Sequence, residues 1–215
     1  MESLRKGLFI VLEGIDGSGK STLLKNAHTL FKNAHIPVLF TQEPGGSAFG
    51  NQLREILQNQ PQSLSSSAAY LLFAADRAAH IAHIIAPALK KNMLIISDRF
   101  SDSSLVYQGY GQGLDISMLH TINMWATQGI TPDITFYLSI DVDTAYARIN
   151  TRGLKKTTFE KQKKSFFKRL LQGYDNLYKN RSDVIILDAH KSSEQLAHEF
   201  YTHLIQYKAT LSESI

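Results

Sequence analysis

The chain has 215 residues, with 23 Lys and Arg against 19 Asp and Glu, 43% hydrophobic residues and no cysteine. This composition is typical of a globular protein and excludes a disulfide-stapled fold, a thiolate metal site and wholesale disorder. Against roughly 150 residues per domain, this length predicts one enlarged domain over residues 1–215. The apolar run Leu8–Leu12 is too short for a signal peptide, and no stretch approaches the ~20 apolar residues of a membrane span, so we expect a cytoplasmic protein.

Five short apolar runs, rich in β-branched and aromatic residues, alternate with stretches of helical period. Such strands predict a parallel sheet covered on both faces, so the expected fold class is α/β, with five parallel strands flanked by helices. The predicted strands are Leu8–Leu12, Val38–Thr41, Met93–Ser97, Ile134–Ile140 and Val184–Leu187. The predicted helices are Lys20–Ala34, Gly50–Gln58, Ser66–Lys90, a run that begins near Ser101, Leu114–Gln128, Asp143–Asn150, Phe159–Tyr178 and Glu194–Tyr207.

A phosphate-binding loop follows the first strand directly. Residues 14–21 read GIDGSGKS, which satisfies the pattern GxxxxGK[ST] between a strand and a helix, the setting of a P-loop. The glycines let backbone N–H groups surround phosphate oxygens, while Lys20 reaches the β- and γ-phosphates and Ser21 ligates Mg²⁺. The predicted ATP-binding residues of this loop are Gly14, Ile15, Asp16, Gly17, Ser18, Gly19, Lys20, Ser21 and Thr22.

The third predicted strand ends in Ser97-Asp98-Arg99. This order places Asp98 at the carboxyl edge of the sheet, beside the P-loop, where we expect it to hold Mg²⁺ through water. An Asp after a strand is more often a loop residue or a helix cap. The neighbouring P-loop and the Arg that follows favour the metal role.

The predicted helix Ser66–Lys90 carries a first candidate cluster for a second substrate. Phe73 and Arg77 are four residues apart and share a face, with Asp76 and His80 alongside. A ring and a guanidinium one turn apart can stack on a flat base and bind its edge. The alternative is that Phe73 belongs to the core and Arg77 pairs with Asp76 or another acid.

A second candidate cluster follows Arg99. Ser104, Tyr107 and Gln108 present a hydroxyl, a phenol and an amide on one face of the helix that begins near Ser101. An amide can donate and accept toward a pyrimidine edge at once. The alternative is a polar surface turn that leads into the loop Gly109–Gly113.

Several strings together carry a resemblance to a known family. They are FIVLEGIDGSGKST at 9–22, EPGG at 43–46, LFAADR at 72–77, DRFSDSSLVYQG at 98–109 and TPDITFYL at 131–138. In this order they resemble the thymidylate kinase family of P-loop nucleoside monophosphate kinases, over nearly the whole chain. Many kinases share the P-loop string, whereas EPGG and the DR…YQG string are much more specific.

The resemblance implies an ATP-dependent dTMP kinase that produces dTDP for DNA precursor synthesis, with Mg²⁺ as cofactor. It implies a homodimer and no nucleic-acid or membrane partner. Asp16 would contact the 3′-hydroxyl of the nucleotide sugar, and Arg99 would hold the acceptor phosphate. Phe73 would stack on thymine, and Tyr107 would exclude a 2′-hydroxyl. The implied dTMP-binding residues are Asp16, Glu43, Pro44, Phe73, Arg77, Arg99, Ser104, Tyr107 and Gln108.

A basic segment marks the expected lid, residues 148–160. From Arg152 to Arg169 there are eight Lys or Arg residues and one acid, a run typical of a solvated helix face, a nucleic-acid patch or a lid over phosphates. The family lid frequently reads Asp-Arg-Phe-Glu, where this chain has TTFE at 157–160. Some members carry an arginine at the position of Gly17, so the resemblance implies a lid cation here. The candidates are Arg148, Arg152, Lys155 and Lys156, with Arg152 predicted as catalytic and Arg148 as the adenine-stacking residue.

Two other functions share parts of this pattern. A deoxynucleoside kinase, or a kinase for another nucleoside monophosphate, would use the same loop, and a hydroxyl acceptor would demand a general base, for which Asp16 or Glu13 can be mistaken. A P-loop switch or a nucleic-acid-stimulated ATPase would instead place residues 155–169 on nucleic acid.

Overall fold

The computed structural model describes residues 7–59, 64–153 and 156–213. Within these ranges the strands are β1 (Leu8–Glu13), β2 (Val38–Gln42), β3 (Leu94–Asp98), β4 (Ile134–Ser139) and β5 (Val184–Asp188). The helices are α1 (Lys20–Asn33), α2 (Ala48–Asn59), α3 (Ser66–His80), α4 (Ala86–Lys90), α5 (Ser101–Ser104), α6 (Ile116–Thr127), α7 (Val142–Thr151), α8 (Lys164–Tyr178) and α9 (Ser193–Glu213). A π-helical segment, Ile81–Ile85, joins α3 to α4, and a second, Leu105–Gly111, continues α5.

The strands form one parallel sheet in the order β2-β3-β1-β4-β5, which confirms the predicted fold class. The central strand β1 is buried on both faces because its side chains alternate between two clusters. Ile10 and Leu12 pack in a cluster with residues of α1 and α9, and Phe9 and Val11 pack in another with the π-helical segment before α4. Among the described residues, no helix is long and apolar enough to cross a membrane.

Three predicted helices differ from the observed ones, and of these the helix predicted over Glu194–Tyr207 continues to Glu213. The predicted helix Ser66–Lys90 is interrupted by the π-helical segment just before Pro87, whose ring and missing N–H disrupt the regular turn that precedes a proline. The helix predicted from Phe159 begins only at Lys164. Before it, Thr157 and Glu160 exchange hydrogen bonds between side chain and backbone, which compete with a helical turn.

The sheet places the chemistry at one edge. Because all strands are parallel, their carboxyl ends meet at the same edge, and the loops that follow them lie side by side there. The P-loop follows β1, Glu43 follows β2, Arg99 follows β3 and the segment Asp188–His190 ends β5. The fold thus gathers the sequence motifs into one region.

Candidate active site

A cleft of about 1210 Å³ opens at the carboxyl edge of the sheet. It lies between the P-loop, the Glu43-Pro44 loop, α3, the segment after β3 and residues 148–161. The predicted site residues that line it are Asp16, Gly17, Gly19, Lys20, Ser21, Thr22, Glu43, Pro44, Phe73, Arg77, Asp98, Arg99, Ser104, Tyr107, Gln108, Arg148 and Arg152. Ile15 and Ser18 are buried behind this wall. Both base-facing clusters therefore face the same space as the P-loop.

Lys20 is buried within the P-loop. Its ammonium group donates hydrogen bonds to the carbonyl oxygens of Gly14 (2.9 Å) and Ile15 (3.2 Å). Burial, and next the charge of Arg99, lower the pKa of Lys20 to about 8. An anion in the loop would favour the charged form of this side chain, so the site is built to gain from a bound phosphate.

Gly17 is where helix α7 presses on the P-loop. A Cβ built at this position would lie 2.4 Å from the carbonyl oxygen of Ala145, and the backbone has φ +83°. No side chain fits there while α7 keeps its place. Arg148, also on α7, lies beside Gly19 and donates to the carbonyl oxygen of Ala189 at 2.9 Å, so its guanidinium spans from the P-loop to the end of β5.

Glu13, which the sequence offers only as a residue that can be mistaken for a general base, ends β1 directly before the P-loop. It is fully buried, and its carboxylate accepts hydrogen bonds from the N–H groups of Phe100 (3.0 Å) and Ser103 (3.1 Å) and from Tyr174 Oη (2.8 Å). Burial raises its pKa. Glu13 does not line the cleft, so it acts as the anchor of α5 and not as a base for a substrate. Its signal in the sequence is an acid between an apolar strand and the P-loop.

Arg99 joins the P-loop to the wall opposite. Its Nη2 donates to Asp16 Oδ1 (2.7 Å) and to Tyr107 Oη (3.1 Å), and its guanidinium lies 4.9 Å from the centre of the Tyr107 ring. Its backbone has φ +73°, a conformation that costs an L-residue free energy, and its N–H is fixed by a bond to the carbonyl oxygen of Leu12 (2.9 Å). This backbone conformation directs the side chain across the floor of the cleft, toward Asp16 and Tyr107.

Arg77 pairs with an acid, as one interpretation of its helix expects, and it also lines the cleft. It is 2% exposed and pairs with an acid, Glu43, through Nε at 2.9 Å, yet it lines the cleft together with Phe73. Its Nη2 also donates to Ser104 Oγ at 3.1 Å. Its Nη1 donates to Asn123 Oδ1 at 2.6 Å, on α6, a partner that sequence reasoning missed because it lies 46 residues away.

Glu43 is the centre of this buried network. Its second oxygen lies 2.9 Å from Nδ1 of the buried His80, whose Nε2 lies 2.7 Å from Thr41 Oγ1. Asp76, next to Arg77 in the chain, accepts from the N–H of Gly45 at 3.1 Å, and burial followed by the charge of Glu43 raises the pKa of Asp76 to about 6. Asp76, Arg77 and His80 of α3 therefore hold the Glu43 loop together.

Asp98 ends β3 beside the P-loop. Its Oδ1 is buried and has no hydrogen-bond partner in the part of the chain that the structure describes. Asp98 and Ser21 also line a second, adjoining groove of about 490 Å³. A carboxylate oxygen and a hydroxyl are the kind of ligand that Mg²⁺ takes, and an unsatisfied buried oxygen is the atom that a cation or its water would bind. The residues present fit a magnesium ion.

The lid candidates have different partners. Arg152 forms an ion pair with Glu160, its Nη2 lying 2.8 Å from Oε1 and 2.9 Å from Oε2. Lys156 donates to Asn150 Oδ1 at 2.6 Å. Lys155 lies outside the described residues. The pairing of Arg152, the predicted catalytic cation, with an acid was not expected from the sequence.

The parallel sheet, the GxxxxGKS loop after β1 and the acid after β3 define a P-loop nucleotide-binding protein with a second binding wall across its cleft. The family model described as thymidylate kinase matches residues 12–200. A thymidylate kinase of Halothermothrix orenii is 40% identical over 200 residues, which cover 91% of this chain and 95% of the relative. One of Kosmotoga olearia is 41% identical over 190 residues, covering 88% and 91%. The chain belongs to the thymidylate kinase family.

Proposed function

We propose that the chain transfers the γ-phosphate of ATP to dTMP, giving ADP and dTDP for dTTP and DNA precursor synthesis. It is an ATP-dependent phosphotransferase. The observation that carries the proposal is that one cleft holds the P-loop with Lys20 on one side and Phe73, Arg77 and Arg99 on the other. A donor triphosphate and a flat base with its phosphate have complementary groups there.

On the donor side, we assign the P-loop residues Gly14–Thr22 to the phosphates of ATP, and Arg148 to its adenine. Lys20 supplies charge to the β- and γ-phosphates. The contact of Gly17 with Ala145 supports a cation from elsewhere, because this loop has no room for a side chain at that position. We assign that role to Arg152, which lines the same cleft.

On the acceptor side, the assignments follow the clusters. We assign Phe73 to stacking on thymine and Tyr107 to the exclusion of a 2′-hydroxyl. Arg99 binds the acceptor phosphate, and Asp16, bonded to Arg99, contacts the sugar 3′-hydroxyl. The base edge falls to Arg77, Ser104 and Gln108, and the pocket is completed by Glu43 and Pro44.

Mg²⁺ is proposed at Ser21 and Asp98. The orphaned Oδ1 of Asp98 and the hydroxyl of Ser21 support this assignment. The ion, when bound, neutralises charge on the β- and γ-phosphates.

The mechanism follows from charge. A phosphate monoester has a second pKa of about 6, so the acceptor is already ionised at neutral pH and needs no general base. Two polyanions must be brought into line and their repulsion offset, which is the task of Lys20, Arg99 and Arg152. Glu13, held by hydrogen bonds from Phe100, Ser103 and Tyr174 and not lining the cleft, is not available as the base that a 5′-hydroxyl acceptor would demand.

We also propose a homodimer. Apolar side chains stand exposed on α2, α3 and α6, which pack side by side, and Trp125 is 81% exposed. An exposed apolar area of this kind marks an interaction surface, and a symmetric pair of copies would cover it. The apolar residues of this face are Phe49, Ile56, Leu71, Met118, Met124 and Trp125.

The remaining assignments concern organisation. We propose one kinase domain over residues 1–215 with a lid at about 148–160, acting in the cytoplasm, where ATP is at hand. The lid assignment is supported by the position of Arg148, Arg152 and Lys156 at the rim of the cleft.

One assay separates the candidate functions. Purified protein is given ATP and Mg²⁺ with dTMP, with thymidine, or with DNA alone, and nucleotide products are separated by chromatography. We expect dTDP and ADP in equal amounts with dTMP, and little ADP in the other two. Formation of dTMP from thymidine without any dTDP would refute the proposal, as would ATP hydrolysis that only DNA stimulates.

A further inference from the structure

The turn at residues 157–160 packs against Tyr107 in the wall of the cleft and against α8. Phe159 packs on Tyr107, with ring centroids 5.2 Å apart and an interplanar angle of 77°. It also stacks with Phe166 of α8, at 6.1 Å and 8°. Tyr107 in turn accepts hydrogen bonds from the N–H of Asp16 (3.0 Å) and from Arg99 (3.1 Å). The turn therefore rests directly on the side chain that joins the P-loop to the acceptor wall.

The next residue, Glu160, turns its carboxylate toward Arg152. Glu160 is 3% exposed at its side chain, whereas Arg152 is 39% exposed. The carboxylate also accepts the N–H of Thr157 at 2.8 Å, and the N–H of Glu160 donates to Thr157 Oγ1 at 3.2 Å, so the turn itself fixes the carboxylate. Within the described ranges, only Nη2 of Arg152 has a hydrogen-bond partner. Its other two nitrogens remain available at the cleft.

Stability alone does not account for this arrangement. Burying a carboxylate carries a desolvation cost that one partly exposed arginine offsets poorly, so such a pair contributes little to folding. It does fix direction, because a guanidinium held at one nitrogen by a fixed carboxylate can turn its remaining donors toward an anion. A contact that contributes little to stability and orients a cation beside a cleft points to a role in the reaction.

We propose that Phe159 and Glu160 are positioning residues that set Arg152 relative to the acceptor wall. Phe159 seats the turn on Tyr107, and Glu160 aims the guanidinium. Acceptor binding at Arg99 and Tyr107 is thereby connected to the lid cation through two adjacent residues. This inference rests on the proposed catalytic role of Arg152.

The test is a double-mutant cycle. Single variants Phe159→Ala, Glu160→Gln and Arg152→Ala are compared with the two doubles that combine Arg152→Ala with each of the others. We measure kcat, KM for dTMP and the ratio of ADP to dTDP formed. If Phe159 and Glu160 act through Arg152, each single variant lowers kcat roughly tenfold or less, and each double variant is no slower than Arg152→Ala alone.

Two controls exclude a merely structural effect. Phe159→Leu keeps an apolar contact with Tyr107 and should restore most of kcat. Glu199→Gln removes a carboxylate from an exposed ion pair with Lys191, neither of which lines the cleft, and should leave kcat unchanged. We further expect the ADP to dTDP ratio to exceed one in Phe159→Ala, because a mispositioned lid admits water to the donor.

The outcomes separate the two claims. If Arg152→Ala is slow but the positioning variants keep wild-type kcat, or if their effects multiply in the doubles, the inference fails while the role of Arg152 stands. If Arg152→Ala itself turns over normally, both the inference and the assignment of Arg152 fail. Doubles equal to Arg152→Ala, with unchanged melting temperatures, support the proposal.

Discussion

The cations on the two sides of the cleft are held in different ways. Arg77 is buried and takes its partners from the β2 loop, from α5 and from α6. Arg152 is partly exposed and is held by one carboxylate eight residues further along the same segment. A side chain bonded by several elements is in position before any substrate arrives, whereas one held locally moves with its segment. The wall that contains Arg77 is thus preorganised, whereas the position of Arg152 depends on its own segment.

The comparison predicts the largest kinetic loss on the preorganised side. Arg99→Ala removes a clamp bonded to Asp16 and Tyr107, so kcat/KM should fall on the order of 10²-fold or more, equivalent to ~3 kcal/mol of transition-state stabilisation. Steady-state kinetics with dTMP measures this. Circular dichroism serves as the folding control, and near-normal turnover in a folded variant would remove Arg99 from the site.

Arg77→Lys tests the buried network with charge retained. In Arg77 three separate nitrogens bond Glu43, Asn123 and Ser104, and the single nitrogen of an ammonium group cannot reproduce that planar spread, so we expect KM for dTMP to rise about tenfold while KM for ATP is unchanged. The free energy of unfolding should fall by ~1–3 kcal/mol because buried acceptors lose their donor. Urea titration measures the second effect. A variant with an unaltered KM for dTMP would show that Arg77 serves stability alone.

On the lid side, Arg152→Ala should lower kcat roughly tenfold with little change in KM for dTMP, because its contact with substrate forms in the charge-developing state. Lys164→Ala is the matched control. Lys164 pairs with Asp143 at the surface, and an exposed pair of this kind contributes little, so turnover should stay within about twofold of the parent. Equal losses in the two variants would mean that the basic residues act through their summed charge and not through a specific contact of Arg152.

The smallest expected effect concerns His190, which follows β5 at the carboxyl edge of the sheet. Its Nε2 lies 2.8 Å from Asp141 and its Nδ1 2.7 Å from Asp188, and these hydrogen bonds raise the pKa of His190. Because the pKa is higher in the folded state, the stabilisation is present below the unfolded value near 6.5 and is lost as pH rises through the folded value.

His190→Ala should therefore lower the melting temperature slightly at about pH 6. It should not do so at about pH 9, where the imidazole is neutral in both the folded and the unfolded state. Thermal unfolding of both proteins in matched buffers measures the difference. The same decrease at both pH values would assign the effect to lost packing.

The sequence predicts what depends on neighbours along the chain. The P-loop, Asp98 and the spacings of Phe73 with Arg77 and of Ser104 with Gln108 are local patterns, and all of them face one cleft. What it missed depends on residues far apart in the chain. Tyr174 reaches Glu13 across 161 positions, and no local pattern announces Asn123 as a partner of Arg77. The late start of α8 was missed because side-chain bonds at Thr157 outweigh the helical period.

The tight contact between Gly17 and Ala145 bears on how such enzymes diverge. A Cβ at position 17 would come within 2.4 Å of a backbone oxygen, which cannot rotate away as a side chain can. This backbone cannot accept an arginine in the loop by a single substitution, because the new side chain would displace α7 and the segment that follows it. An arginine at position 17 and the present position of α7 thus exclude each other, so a change at this residue has to be accompanied by a shift of the helix.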